Sequence, residues 1–554
     1  MNNQIMTPWQ RLVGLLKLEK RAVLQVFYYA IFSGIVGLSL PLGIQTIINL
    51  IQGAQITTSW ILLVVLVTLG VAFVGVLRLM QMRIVETIQQ RIFTRTSFEF
   101  TYRFPKMTME ELHKYYPPEL ANRFFDTLTV QKGLTKILID VPAAVLQILF
   151  ALILLSFYHP FFILFGMLLL LLVFTVFKLT GKKGLETSLE ESKHKYMVAY
   201  WIQEIARSLI SFKLSGKTTL ALEKNDALVM KYLDSREKHF RILVIQFIQM
   251  IGFKVIVTAG LLTIGGALVL NQEINIGQFV AAEIIILLVI ASVDKLITGL
   301  ESFYDVMTSL DKIGQVVDKN LEPQKGQKIL LDNNYKIELR DVMYRVPDKG
   351  QPILSGINLI ITSDTRLLIK GKNGSGKSSL LRIIAGIVKP YQGAIFLDLF
   401  SMENIHINTY RSQVGLSLSE EVPFEGTIRE NITFGNPEVK DAHIYWAIES
   451  VGLIEFIKEQ SHGLDTYLYP QGMRISNTIA KKIILARAIV KKPKLLLLED
   501  PLDQFDKAES KKIMKFLTDA SHEWTLVVVS QNPTWEKVCK SIIELQDGRI
   551  IKNS

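Results

Sequence analysis

Six apolar stretches of bilayer-spanning length fall between Leu24 and Leu300, and none follows. They run Leu24–Ile47, Ser59–Met80, Ile137–Tyr158, Phe161–Leu179, Leu243–Leu270 and Gly277–Leu300. A helix needs about 20 such residues to cross the hydrocarbon core. Lipid offers no water to unpaired backbone groups, so helices are the expected form. The 49% hydrophobic content and a mean hydropathy of +0.30 belong to this part of the chain. After Leu330 the sequence turns charged and mixed, with the look of an α/β domain, and 554 residues are too many for one domain.

Charge sets an expected orientation. The turns Gln52–Thr58, His159–Pro160 and Asn271–Ile276 hold a single formal charge, Glu273, whereas the N-terminus, Arg83–Lys136 and Lys178–Arg241 are rich in Lys and Arg. The positive-inside rule then places both termini and both long loops in the cytoplasm. Anchoring at an anionic membrane surface accounts for the net charge of +11, and no nucleic-acid partner is needed. The start of the chain, Pro8 to Leu18, alternates apolar and basic residues at helical spacing. It is expected as an interfacial helix within 1–21, with no cleavable signal peptide. The one cysteine, Cys539, excludes an intrachain disulfide and a cysteine-based metal site.

Arg83–Lys106 and Gly184–Tyr232 keep helical periodicity beyond the apolar stretches, so the spans are expected to continue into the cytoplasm. Pro117-Pro118 should break the first extension at its tip, beside a short transverse helix. Asp318–Asn334, with Pro323, Gly326 and Asn333-Asn334, reads as a linker. The expected domains are 1–21, the six-span domain 22–317, the linker 318–334, and a nucleotide-binding domain at 335–554.

That last assignment rests on Gly371-Lys372-Asn373-Gly374-Ser375-Gly376-Lys377-Ser378, which fits GxxxxGK[ST] at every fixed position. Glycines let backbone N–H groups wrap phosphates, Lys377 reaches the terminal oxygens, and Ser378 offers its hydroxyl to Mg²⁺. An apolar strand, Arg366–Ile369, enters the loop, and a helix beginning at Ser379 leaves it with its N-terminus toward the phosphates. ATP and Mg²⁺ are the expected ligands.

Six spans with long extensions, followed by a P-loop domain, resemble an ABC exporter half-transporter over essentially the whole chain. Gly426-Thr427-Ile428-Arg429-Glu430-Asn431-Ile432, Gly463-Leu464-Asp465-Thr466, Ile484-Leu485-Ala486-Arg487-Ala488 and Asp547-Gly548-Arg549-Ile550 are similar to the type I secretion and peptide exporter branch. The resemblance implies an α-helical membrane domain with an α/β ABC domain. It also implies a dimer, with a second half-transporter placing its signature segment against this P-loop. A bacterial inner membrane and a periplasmic adaptor protein follow from the branch. No peptidase domain is expected before the spans, so the resemblance does not imply leader cleavage.

Position by position, the chain departs from that family. In Leu495-Leu496-Leu497-Leu498-Glu499-Asp500 the usual Asp–Glu order is reversed, leaving Glu499 on the Mg²⁺ side and Asp500 as a shortened general base. A misplaced base costs on the order of 10²-fold or more. The Q-loop position is Ser419, and the switch position is Gln531, which can donate a hydrogen bond but carries no proton. The adenine-stacking position is Val346, for which Tyr344, two residues earlier on the strand, is a possible substitute. The signature segment reads Ile475-Ser476-Asn477-Thr478-Ile479, so only Ser476 keeps its hydroxyl at the helix start. With both the base and the signature altered in one chain, neither a homodimer nor a heterodimer gives a fully standard site.

Three readings stay open, the first two being an exporter of peptide, protein or another amphipathic substrate with impaired hydrolysis, and an ATP-binding scaffold or gate without hydrolysis. Ordinary turnover on lipids or small molecules is a third. Within the spans, Glu283, Asp294, Glu301 and Asp305 fall within about 40° on one helix face, and Lys254 and Lys295 are nearby cations. Interhelical pairing, as of Lys254 with Glu283, is the favoured account over a substrate stripe. The eight histidines lack ligand spacing, and Lys481-Lys482 and Lys491-Lys492 read as solvated faces.

Overall fold

The computed structural model describes residues 6–52, 58–113, 115–346 and 350–553. The turn expected at Gln52–Thr58 therefore lies largely outside the described residues. By contacts the chain divides into two compact units: Met1–Pro105 with Tyr116–Lys319, and Lys106–Tyr115 with Asn320–Ser554.

The first unit is helical. Its opening helix, Pro8–Leu18, starts where Pro8 fits the first turn and Thr7 forms a reciprocal cap with Gln10. Leu12 on its inner face is buried, and Arg11 is paired with Asp318. Six helical segments are long and apolar enough to cross a membrane: Lys20–Gln52, Thr58–Lys106, Pro117–Ser156, Phe161–Arg207, Leu220–Leu270 and Ile276–Val317. Each apolar stretch of the sequence lies in one of them, apart from Phe157 and Tyr158, which follow the third segment. Several run well beyond the hydrocarbon thickness, because the polar sequence that follows keeps strong helix formers and few breakers. Pro117 begins its own short helix, Pro117–Ala121, and Met109–Leu112 forms another just before it. Large side chains such as Leu62, Leu66 and Leu69 stay exposed on the second segment. By contrast, Ile276–Val317 is enclosed, with Ala282, Ile285, Val289 and Val293 in the core of the unit.

The ion pair expected between Lys254 and Glu283 forms instead between Lys254 and Asp294, at 2.5 Å. The hairpin geometry explains the difference. Counted from the turn at Glu273, Lys254 lies 19 residues before and Asp294 21 residues after, whereas Glu283 is only 10 beyond. With equal rise per residue, only Asp294 reaches the level of Lys254. Glu301 and Asp305, farther along the same face, are exposed.

The second unit is an α/β domain. Its strands in chain order are β1 Lys336–Tyr344, β2 Leu354–Thr362, β3 Arg366–Gly371, β4 Gln392–Leu397, β5 Phe400–Ser401 and β6 Val414–Ser417. There follow β7 Gly426–Thr427, β8 Tyr467–Leu468, β9 Leu495–Glu499, β10 Thr525–Val529, β11 Ser541–Gln546 and β12 Arg549–Asn553. One sheet has the order β12-β11-β3-β10-β9-β6, parallel except for its edge strand β12. A smaller antiparallel sheet, β2-β1-β4-β5, accompanies it. Leu495 to Leu498 and Leu526 to Val529 are wholly buried, which is why both strands read as unbroken apolar runs rather than alternations.

Residues 106–115 and the stretch after Asn320 are part of this unit. Met107 bridges Leu321, the Thr108 N–H donates to the Asn320 carbonyl at 3.1 Å, and Arg411 grips both carboxylate oxygens of Glu322. Leu331 is buried in the core. The segment read as a linker is thus folded onto the domain from Asn320 onward.

Candidate nucleotide-binding site

Strand register decides which distant residues meet. β10 aligns Val529 with both Ile369 of β3 and Glu499 of β9, and β9 aligns Leu498 with Ser417 of β6. The loops leaving β3, β6, β9 and β10 therefore emerge at one edge, the carboxyl end of the parallel strands, where α/β sheets place their ligands.

Gly371, Gly374 and Gly376 have φ of 151°, 83° and 98°. Two of them also lack room for a side chain. A Cβ on Gly371 would lie 2.3 Å from the Leu545 carbonyl oxygen, and one on Gly376 2.7 Å from Leu354 Cδ2. Gly376 caps the helix Lys377–Ile384, whose second and third residues are Ser378 and Ser379. The Lys377 ammonium folds back over the loop, donating to the carbonyls of Gly371 at 2.8 Å and Lys372 at 2.9 Å. Burial pushes that ammonium down in pKa, against the pull of Asp500 and Glu499. The hydroxyl of Ser375 is buried and has no hydrogen-bond partner among the described residues. A phosphate oxygen would supply one, and the glycine cradle leaves backbone N–H groups for others, so these residues fit a polyphosphate.

Glu499, buried at the end of β9, joins two loops. One carboxylate oxygen accepts from the Ser378 hydroxyl. The other accepts from both the N–H and the hydroxyl of Ser419, each at 3.1 Å. A serine hydroxyl beside a carboxylate is the hard oxygen set that suits Mg²⁺. Among the described residues no group of three or more His, Cys, Asp or Glu could hold a metal alone. A divalent ion here would take its remaining ligands from phosphate and water.

Asp500 is half-buried in a left-handed conformation, φ 42°, with its N–H donating to the Val529 carbonyl at 2.9 Å. Burial, then the charges of Asp503 and Glu499, push its carboxyl above the usual range, while Ser530 and Lys377 oppose them. Gln531 donates to Asn373 Oδ1 at 3.0 Å, tying the loop after β10 to the phosphate loop. Lys377, Ser378, Ser419, Glu499, Asp500 and Gln531 thus gather at one strand edge.

Three expected residues lie apart from this cluster. Ser476 caps the helix Asn477–Ile489, its hydroxyl accepting from the Ile479 N–H at 3.3 Å. Thr478 donates to the Gln504 carbonyl. Val346 is partly buried against the domain core. The expectation that Tyr344 substitutes as a base-stacking ring is not supported. Tyr344 is buried in the core and shares its hydroxyl with His113 at 3.2 Å. β1 ends at Tyr344, so Val346 lies beyond the strand and strand alternation does not carry from one to the other.

Sequence reasoning also missed a residue. Lys481, expected as a solvated face, donates to the carbonyls of Leu418 at 3.0 Å and Ser419 at 2.6 Å. Burial lowers its pKa, against Glu421, Glu499, Asp500 and Asp503. Its neighbour Lys482 is buried, bound to Glu509 at 2.7 Å and the Gly452 carbonyl at 3.1 Å. Lys491 and Lys492 are exposed, as expected.

Residues 354–503 match the ABC transporter family model. A bacterial Atm1-family ABC exporter, solved with ATP bound, superposes with a TM-score of 0.84 over 97% of this chain and 95% of that one, at 16% identity. The chain carries an ABC transporter domain on an ABC exporter fold. The alpha-hemolysin translocation ATP-binding protein HlyB of Escherichia coli O157:H7 is 30% identical over 305 residues, 55% of this chain and 43% of that protein. The toxin RTX-I translocation ATP-binding protein of Actinobacillus pleuropneumoniae is 29% identical over 308 residues, 56% and 43% respectively. The chain spans less than half the length of these curated relatives. The exporter fold covers 97% of the chain.

Proposed function

We propose that the chain is one half of an exporter-type dimer in a bacterial inner membrane, binding Mg-ATP in its ABC domain and hydrolysing it slowly. The observation that carries the binding is the phosphate cradle, where glycines at positive φ, the folded-back Lys377 and the orphaned Ser375 hydroxyl converge. Within it, Gly371 to Ser379 would hold the phosphates, and Ser378 and Glu499 the Mg²⁺. The bound ion would supply charge neutralisation at the phosphates. Asp500 is the candidate base and Gln531 a hydrogen-bond donor at the switch position. The shortened reach of Asp500 supports slow hydrolysis, because proton abstraction needs a base within hydrogen-bond distance.

By this reading, closure of two ABC domains is transmitted through loops near His113–Phe125 and Ile205–Thr219 to reorient the membrane domain. The similarity to toxin translocators favours a peptide or protein substrate and an adaptor partner on the far side of the membrane. Both termini lie on the cytoplasmic face, on the distribution of Lys and Arg.

ATP binding and turnover, measured together on the full chain in nanodiscs with Lys377→Ala as control, test this. Binding with slow turnover, both lost in Lys377→Ala, is the expected result. Binding with no turnover, alone and with any co-purifying partner, removes the pump and leaves a nucleotide-gated scaffold, stabilised by ATP without consuming it.

A further inference from the structure

Lys481 occupies the second turn of the helix Asn477–Ile489, whose first turn is capped by Ser476. Its ammonium leaves that helix for the turn after β6, where it takes two consecutive carbonyls, those of Leu418 and Ser419. Ser419 in turn presents both its N–H and its hydroxyl to one oxygen of Glu499, and the other oxygen of Glu499 takes the Ser378 hydroxyl. A continuous polar path therefore runs from the helix behind Ser476 to the serine of the phosphate loop, through side chains that meet only in the fold. The charge pattern agrees with the hydrogen bonds. Glu421, Glu499, Asp500 and Asp503 all act on Lys481, which balances a carboxylate-rich edge.

Ser419 is exposed and short, and its own hydroxyl is committed to Glu499 rather than to the turn that carries it. The turn is held from outside, by a cation with two donors committed to its backbone. Charge-assisted hydrogen bonds to backbone carbonyls are the stronger kind, and they act here on a peptide whose N–H is itself bound to Glu499.

We propose that Lys481 is a positioning residue of the nucleotide site, holding the Leu418–Ser419 turn so that Ser419 orients the Glu499 carboxylate toward Ser378. The inference rests on Mg-ATP being the ligand of this site. It makes the helix behind Ser476 and the Glu499–Ser378 pair one mechanical element, so that displacement of that helix is felt at the metal side of the same chain's phosphate loop.

The test uses the full chain in nanodiscs with Lys481→Met, Lys481→Arg, Ser419→Ala, the Lys481→Met/Ser419→Ala pair, and Lys492→Met as an exposed-lysine control. Hydrogen exchange without nucleotide is read first over residues 414–421. Lys481→Met should speed it at least about threefold, and Lys492→Met should leave it unchanged. ATP binding is then measured with Mg²⁺ and with EDTA. Lys481→Met should weaken binding roughly tenfold in Mg²⁺ and less than about twofold in EDTA, with Lys481→Arg recovering most of the loss. Adding Ser419→Ala to Lys481→Met should cost little more, since both cut one path. Unchanged exchange, equal losses with and without Mg²⁺, or additive effects would overturn the proposal. A wild-type chain that binds no Mg-ATP sinks the nucleotide reading instead, and the exchange result still decides the role of Lys481.

Discussion

A single oxygen of Glu499 accepts two hydrogen bonds from Ser419, from its N–H and from its hydroxyl, at 3.1 Å each. The carboxylate is one methylene longer than the aspartate that the family resemblance leads one to expect, and the serine is much shorter than the expected glutamine. The longer acid offsets part of the reach that the short serine lacks, and the two departures meet in one contact.

Glu499→Asp alone should therefore open the Ser419 contact and weaken Mg²⁺-dependent ATP binding by about tenfold, the share of one or two charge-assisted hydrogen bonds. Ser419→Gln alone should crowd the longer carboxylate. The double variant should bind Mg-ATP better than either single one. Calorimetric titration of the four proteins gives the coupling directly, and simple additivity would mean the two positions vary independently.

Asp500 carries the hydrolysis argument. Asp500→Glu extends the carboxyl by the missing methylene and should raise turnover at least about tenfold, a fraction of the 10²–10⁴ that a well-placed base contributes. Asp500→Asn should remove what turnover exists. Phosphate release under saturating ATP is the measurement. If Asp500→Glu leaves it unchanged, the block lies elsewhere, first at the side chains of Asn477 and Thr478 in the signature segment.

The fold class was legible because its signals are contiguous. Six apolar runs and the sequence from Gly371 to Ser378 can be read without knowing what touches what. Partnerships across the fold were less so. Glu499 and Ser419 are 80 residues apart and are joined by the register of β6 and β9. Lys481 looked solvated because two adjacent lysines on a helix usually are, and no local pattern shows a backbone turn within reach. Helical periodicity put Glu283 and Asp294 on one face but carried no information on depth, which the position of the turn at Glu273 supplies. Tyr344 was misread for a related reason, since the strand ends at that residue and the two-residue count does not run on to Val346.

The Lys254–Asp294 pair leads to a stability prediction. Each ion is about a third exposed, and the second oxygen of Asp294 has no hydrogen-bond partner among the described residues. Removing one member leaves an unpaired charge at membrane depth, which costs ~2.5–3.5 kcal/mol on insertion scales. Lys254→Met or Asp294→Leu should each lower the unfolding temperature in nanodiscs, and the double variant should recover most of the loss, because an apolar pair replaces an ionic one at little cost. If the double variant instead unfolds at the sum of both losses, the two residues act through other partners.

Cys539 offers a pH-dependent readout of the ABC domain. It is buried, and burial pushes its thiol up to about 11, from 9.0 for a free thiol. The folded state therefore holds the proton more tightly than the unfolded state. The stability linked to this group is fully present below pH 9.0 and is lost as pH rises toward about 11. Alkylation should show the same asymmetry. In the native chain at pH 8 the thiolate is scarce and enclosed, so labelling waits on opening of the domain, and denaturant should accelerate it by orders of magnitude. Labelling rates with and without saturating Mg-ATP then measure how far nucleotide closes the domain. Rapid labelling of the native chain at pH 8, insensitive to denaturant, would contradict the burial on which the argument depends.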